Sequence, residues 1–271
     1  MTAISLAISG AAGRMGRRLI ALAGEQPELF RVVAAIDAPA SPDQGKDAGE
    51  LAGIKPLGVP VSTTLGAAHP EVVIDFSAAP ATRALIAECV NRNIALLIGT
   101  TGLAAADQPL IDQAAARIPI LQATNTSLGV NVLLSVAANI ARQLGEAYDI
   151  EIVEAHHNLK KDAPSGTALS LAESICKATG RDADGDLVHG RHGLDTQRKK
   201  GTIGMHAVRM GDVVGEHTVY FSTPGERIEI RHTVTNRDTF VRGALRAAAF
   251  LTEMKRQGTT GRFTMAHVLG L

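Results

Sequence analysis

Five short apolar runs, Ile4–Ser9, 31–36, 72–76, 94–98 and 118–123, are spread along the first half of the chain with helix-length segments between them. Runs that are apolar on both faces must be covered on both faces. Their alternation with connectors such as 80–91 and 104–117 predicts a parallel sheet flanked by helices on both sides. The helix after the first run carries Leu19, Ile20 and Leu22 on one face. The stretch 38–58, rich in Pro, Gly, Ser and Asp, is expected to be loop. Sheets of this kind bind ligands beyond the carboxyl ends of their strands.

The pattern changes after residue 128. A long helix is expected over 129–147, with Val132, Leu133, Val136 and Ile140 as apolar positions, and it would link two domains. A strand over 150–155 and a helix over 168–178 follow. The polar segment 182–200 is expected to be a mobile loop and a candidate lid. From Gly201 the apolar period becomes two, giving strands over 203–210, 216–222 and 227–235, broken at Gly211-Asp212 and Pro224-Gly225. A helix over 240–254, with Ala244, Leu245, Ala248 and Leu251 on one face, would pack back on the first domain. The expected fold class is α/β, with a parallel sheet covered on both faces plus a second α+β domain holding an open mixed sheet. The expected boundaries are 1–127 plus 237–271 for the first domain and 128–236 for the second.

Bulk composition matters mainly for what it excludes. Lys+Arg and Asp+Glu balance at 27 each and aromatics are 3%, so nothing in the bulk charge argues for nucleic acid or a membrane surface. Any anion site must be local. Cys89 and Cys176 fall in helical stretches without metal or CxxC spacing, which points to a reducing compartment. The N-terminus reads as a strand and not a signal peptide, and no apolar run is long enough to span a bilayer. A cytoplasmic protein is expected.

Gly10, Gly13 and Gly16 lie just after the first run and open the first helix, and Asp37 ends the second run. Glycines here permit a tight turn and close approach of main-chain N–H groups to a pyrophosphate, at the positive end of a helix. The reading is NAD or NADP binding; a plain strand–helix turn is the alternative. Asp37 would accept hydrogen bonds from a ribose hydroxyl pair, or act as a cap. Ala38 follows it, which leans the cofactor toward NADH, although Arg14 and Arg17 or Arg18 could approach a 2′-phosphate. Gly99, Thr100, Thr101 and Gly102 could line the nicotinamide side, or form a tight turn with a threonine cap.

The most chemically loaded stretch runs from Glu151 to Thr167. His156 ends a strand and titrates near neutral pH, so it can donate or accept a proton. Lys160 can donate a proton or pair with a carboxylate, whereas Lys161 reads as a solvated neighbour. Ser165, Gly166 and Thr167 follow Pro164 and open a helix, forming an anion site from hydroxyls, N–H groups and the helix dipole; Ser165 also fits a plain N-cap. Seven of the nine histidines lie between His156 and His232, but their spacing gives no metal-ligand pattern, and no metal is expected. His206 and His217 read as core or interface residues.

Residues 154–168, Glu-Ala-His-His-Asn-Leu-Lys-Lys-Asp-Ala-Pro-Ser-Gly-Thr-Ala, resemble the signature of the dihydrodipicolinate reductase (4-hydroxy-tetrahydrodipicolinate reductase) family. The resemblance extends to 10–16, 99–102, 125–131 and 204–217. It implies a Rossmann-like domain plus a sheet domain that builds a homotetramer. The implied activity is reduction of a cyclic unsaturated dicarboxylate by NADH or NADPH, with loss of water, on the diaminopimelate route to lysine. By the same likeness His156 is the proton donor/acceptor, Lys160 a proton donor, and His157, Gly166 and Thr167 bind substrate. Gly10, Ala11, Ala12, Gly13, Arg14, Met15, Asp37, Gly99, Thr100, Thr101, Ala123, Thr124, Asn125 and Thr126 would bind cofactor. The chain departs from the family pattern at Ala38, where Arg is frequent, and at Thr126, where Phe is frequent. A semialdehyde dehydrogenase would need a cysteine nucleophile in a loop, and a non-catalytic NAD sensor would not need His156, Lys160 and Ser165-Gly166-Thr167 together.

Overall fold

The computed structural model describes residues 2–271. The chain begins with β1 (Ile4–Ser9), α1 (Arg14–Gly24), β2 (Phe30–Ile36), α2 (Ala48–Leu51), β3 (Val61–Ser62), β4 (Val72–Asp75), α3 (Ala79–Asn91), β5 (Ala95–Ile98), α4 (Gln108–Ala115) and β6 (Pro119–Gln122). It continues with α5 (Leu128–Leu144), β7 (Asp149–His156), α6 (Gly166–Thr179), β8 (Leu187–His189), β9 (Ile203–Arg209), β10 (Gly215–Thr223) and β11 (Glu226–Val234). It closes with α7 (Asp238–Arg256), β12 (Gly261–Phe263) and α8 (Met265–Leu269). Two compact units result, residues 1–127 with 238–270, and residues 128–237 with Leu271.

The first unit holds a seven-stranded sheet in the order β12-β6-β5-β4-β1-β2-β3. Every pairing in it is parallel. Leu6, Ile8, Ile74, Leu96 and Leu97 are fully buried, as strands covered on both faces require. Leu85, Ile86 and Cys89 of α3 and Ile111 of α4 pack with Ala7, Val73, Leu96 and Ile98. Helix α7 packs on β4, β5, β6 and α1 through Ala244, Leu245, Ala248 and Leu251. Each buried leucine or isoleucine among these contributes about 2 kcal/mol when taken from water.

The second unit holds a mixed sheet in the order β11-β10-β7-β9-β8, antiparallel at β11/β10/β7 and parallel at β7/β9/β8. One face is apolar at one end. Ile150, Ile152, Ile203, Met205, Val219 and Phe221 pack under α5 and α6 with Leu133, Ala137, Leu171 and Ile175. Alternation along β7 puts Glu154 and His156 on this same face. The face therefore turns from apolar to charged as β7 reaches its end.

Several sequence expectations change. The 182–200 segment contains edge strand β8, and Arg191 and Arg198 anchor it by ion pairs to Glu151 on β7. The 38–58 stretch contains the short helix α2, capped by the Asp47 carboxylate on Gly49 and Glu50 N–H. The helix expected over 104–117 is a 3₁₀ turn, Ala105–Asp107, followed by α4, with Pro109 in the first turn of the α-helix. Val132 and Val136 of α5 stay exposed while Leu133 is buried. Strand β12 and helix α8 are additional elements in the last 15 residues.

Candidate functional site

The glycine loop is built by close main-chain approach. Gly10 has φ +76°, and a Cβ there would lie 2.4 Å from the Phe76 carbonyl oxygen. A Cβ on Gly16 would lie 2.2 Å from the Gly10 carbonyl oxygen, so only glycine lets α1 close on the loop. Gly10 and Ala11 N–H both donate to the Ile36 carbonyl at 2.9 Å, and Ala12 N–H donates to Asp37 Oδ2 at 2.7 Å. Gly13 is the N-cap of α1 and has no side chain to cap it. The first-turn N–H groups, which have no carbonyl partner inside a helix, are left at the loop's edge.

Two cavities run along this edge. One, of about 750 Å³, is lined by Gly10, Ala12, Gly13, Asp37–Asp43 and Phe76–Ala78 among others. The second, of about 470 Å³, is lined by Gly13, Arg14, Met15, Gly99, Thr100, Thr101, Thr124, Asn125, Thr126 and Phe240, with Phe76 and Ser77. Gly13, Phe76 and Ser77 line both, so the two form a continuous groove of dinucleotide proportions. Of the expected cofactor residues only Ala11 and Ala123 line neither. Ala11 is buried beneath the loop, and Ala123 donates its N–H to the Ile98 carbonyl.

Some side chains have other duties. Asp37 spends its second oxygen on its neighbour's N–H, Ala38, at 2.8 Å. Thr100 donates to buried Asp75 at 2.9 Å and accepts from Ser77 N–H at 2.9 Å, tying the turns after β4 and β5 together. Thr126 donates to the Phe240 carbonyl at 2.6 Å. A Cβ on Gly243 would lie 1.7 Å from the Thr126 oxygen, so α7 braces this loop by backbone contact. Arg17 pairs with Asp43 and Arg18 with Asp238, whereas Arg14 lines the second cavity.

The second unit carries a buried charged network. Glu154, 1% exposed, accepts from His156 Nδ1 at 2.6 Å, from Arg209 at 2.8 and 2.9 Å, and from Ser165 N–H at 3.0 Å. Burial works to raise the Glu154 pKa, but the Arg209 and His156 hydrogen bonds outweigh it and hold the carboxyl below its usual range. An ionised carboxylate only accepts, so the Nδ1 proton is fixed and Nε2 is the exchangeable atom of His156. Burial pushes the His156 pKa down, and the Glu154 hydrogen bond and charge offset this in part. A Cβ on Gly215 would lie 3.1 Å from His156 Nε2, so glycine there leaves that nitrogen room.

The remaining expected residues of this unit have the following surroundings. Arg209 also donates to the Asp162 carbonyl at 2.7 Å, which holds the turn that opens α6. Ser165 is the N-cap of α6: its Oγ accepts from Ala168 N–H at 3.2 Å and sits 3.0 Å from His217 Nε2. Gly166 and Thr167 are the first two helical residues, and Gly166 is exposed. Lys160 Nζ lies 2.8 Å from both oxygens of exposed Asp162. His157 follows His156 and is half-buried. His217 is buried, edge-on to His156 with centroids 5.3 Å apart, and burial pushes its pKa down to about 4. Glu154, Arg209, His217 and Phe76-Ser77 were not singled out as site residues from the sequence. Among the described residues no group of three or more His, Cys, Asp or Glu could hold a metal.

The groove of dinucleotide proportions in the first unit is the equipment of a nicotinamide-dependent oxidoreductase, and the second unit carries a carboxylate-oriented imidazole beside a helix start. Comparison with known proteins narrows this class. The profile "dihydrodipicolinate reductase, N-terminus" matches residues 4–126, and "dihydrodipicolinate reductase, C-terminus" matches 129–269. A 4-hydroxy-tetrahydrodipicolinate reductase of Alkalilimnicola ehrlichii is 48% identical over 268 residues, covering 98% of each chain. One from Nitrosospira multiformis is 43% identical over 273 residues, covering 100% of this chain and 99% of its own. The fold is similar to a solved dipicolinate-bound dihydrodipicolinate reductase from Paenisporosarcina, with TM-score 0.74, 22% identity and 97% coverage of both chains. The chain belongs to the dihydrodipicolinate reductase family. Its two cysteines are buried, and burial pushes both thiols up, which is the wrong direction for a nucleophile.

Proposed function

We propose that the chain reduces 4-hydroxy-tetrahydrodipicolinate to tetrahydrodipicolinate with loss of water, on the diaminopimelate route to lysine, using NADH or NADPH with NADH preferred. The observation that carries this reading is the Glu154 carboxylate 2.6 Å from His156 Nδ1, on the strand that leads into the start of α6. Elimination of the 4-hydroxyl with a neighbouring hydrogen as water leaves a C=C bond conjugated with the ring imine, and when bound the reduced nicotinamide would supply a hydride to the far carbon of that system. The enamine so formed must gain a proton, and His156 delivers it from Nε2. The depressed pKa leaves His156 largely neutral at rest; the approaching dicarboxylate favours its protonated form. Lys160 exchanges Asp162 for a substrate carboxylate and acts as the second donor. His157, Gly166 and Thr167 hold the carboxylates, using first-turn N–H groups and the α6 dipole, while Ser165 caps the helix behind them. Glu154 and Arg209 are positioning residues: they touch no reacting atom and set the tautomer of His156.

The cofactor residues are those of the groove, with the N–H groups of Arg14 and Met15 at the pyrophosphate and Gly99, Thr100, Thr101, Thr124, Asn125 and Thr126 at the nicotinamide. Paired Arg17 and Arg18 and the Asp37-Ala38 corner support the NADH preference. Exposed Val132, Val136, Val208 and Met210, and the open edges at β8 and β11, support assembly of the second unit into a homotetramer. Two unbridged cysteines support a cytoplasmic location. No helix among the described residues is long and apolar enough to cross a membrane. The test is to add freshly prepared cyclic imine precursor to protein and NADH, and separately NADPH, and follow absorbance of the reduced nicotinamide. Oxidation, faster with NADH, is expected; no oxidation with either cofactor refutes the activity.

A further inference from the structure

The larger cavity ends at the loop from Asp37 to Asp43, and two cations meet there on one carboxylate. Arg17 lies 2.8 Å from Asp43 Oδ2, and Lys46 Nζ lies 2.7 Å from Oδ1. Arg17 Nε also donates to the Ala12 carbonyl at 2.7 Å, so its guanidinium is tethered beside the glycine loop. Asp43 itself lines the cavity and is 14% exposed. Asp37, at the other side of the corner, is bonded to the N–H groups of Ala12 and Ala38.

We propose that Asp43 is a cofactor-specificity residue, which withholds Arg17 and Lys46 from a 2′-phosphate and so favours NADH over NADPH. The proposal rests on reading the larger cavity as the adenosine-ribose end of the cofactor groove. A free ribose diol is a pair of donors and needs one acceptor carboxylate, which Asp37 supplies. A 2′-phosphate brings about two negative charges at neutral pH and needs cations that are not already neutralised. At this corner the two cations are matched by Asp43 and faced by Asp37. The Lys46 and Arg17 contacts hold the Asp43 carboxyl below its usual range, so it keeps its charge throughout the neutral region. Removing that charge while leaving an amide of the same shape frees the two cations beside Asp43, at the margin of the cavity that Asp43 lines. The contacts are near solvent and screened, so the expected gain is modest, on the order of 10-fold in NADPH affinity at low salt.

Calorimetric titration of the full-length protein with NADPH and with NADH tests this without relying on turnover. Asp43→Asn should tighten NADPH ~10-fold and change NADH less than ~2-fold, with the gain shrinking as salt rises. Arg17→Gln added to Asp43→Asn should remove most of the gain. Asp43→Ser serves as the second charge-removing variant should Asp43→Asn fold poorly, which circular dichroism reports. An unchanged NADPH-to-NADH affinity ratio, with both cofactors still binding, overturns the role of Asp43 and leaves the cofactor groove standing. Failure of wild type to bind either cofactor overturns the groove itself and this inference with it.

Discussion

The glycine loop and the Glu154–Thr167 stretch are built by opposite means. The loop is built from what is missing: at Gly10 and Gly16 a Cβ would collide with main chain, and α1 starts with no side-chain cap. The stretch is built from buried charge, where one carboxylate collects donors from His156, Arg209 and Ser165. Main-chain recognition depends on shape and is indifferent to pH. Side-chain recognition depends on protonation and on partners supplied by other strands. Substitution and pH should therefore separate the two regions.

The largest expected effect is His156→Ala, which should lower kcat ~10²–10⁴-fold and raise KM far less, as for lost acid–base work. Next is Glu154→Gln, expected to lower kcat ~10²-fold, by steady-state rates across pH. The Glu154 carboxylate raises the His156 pKa; without it, and with Arg209 uncompensated, that pKa falls further. The limb on which protonated His156 is lost should therefore move to lower pH. A variant with unchanged kcat and an unmoved limb would reduce Glu154 to scaffold.

Gly16→Ala should damage the other region. Its methyl would meet the Gly10 carbonyl and Ala11, at a cost of about 3 kcal/mol in loop geometry, seen as ~100-fold weaker NADH binding with no change in pH profile. The smallest effect is on stability. His217 has a folded pKa of about 4 against an ordinary 6.5, so above pH 6.5 neither state carries its proton and the stability is complete. As pH falls from 6.5 toward 4 only the unfolded chain gains that proton, which removes about 2 kcal/mol by pH 5. Urea unfolding at pH 7 and pH 5 should show this loss in wild type and a smaller one in His217→Gln, while NADH affinity stays level over the same range.

The same contrast explains what could be read in advance. The parallel sheet was legible because strands β1, β2, β4, β5 and β6 are continuous apolar runs, and the glycine loop because spacing alone encodes it. Strands β3, β8 and β12 span two or three residues, too few to show a period, and their pairing is decided by neighbours far away in sequence. His156 and Lys160 announced themselves by type and position. Arg209 did not, because it lies 55 positions from Glu154 and joins it only through the β7–β9 register, in which His156 pairs with Arg209. Glu154 did carry a signal: two residues before His156 on a strand, it must share its face. For Ser165 the sequence allowed both a cap and a ligand contact; in the fold its hydroxyl caps α6 and meets His217.

Buried Glu154 fixes the His156 proton on Nδ1 and leaves Nε2 exchangeable. Nitrogen-15 NMR of histidine-labelled protein, with His156→Ala to assign the resonance, reads this directly. His156 should be neutral at pH 7 with Nδ1 protonated and Nε2 bare, and should titrate at Nε2 lower than an ordinary histidine. A neutral His156 protonated on Nε2, with Nδ1 bare against Glu154, would contradict it.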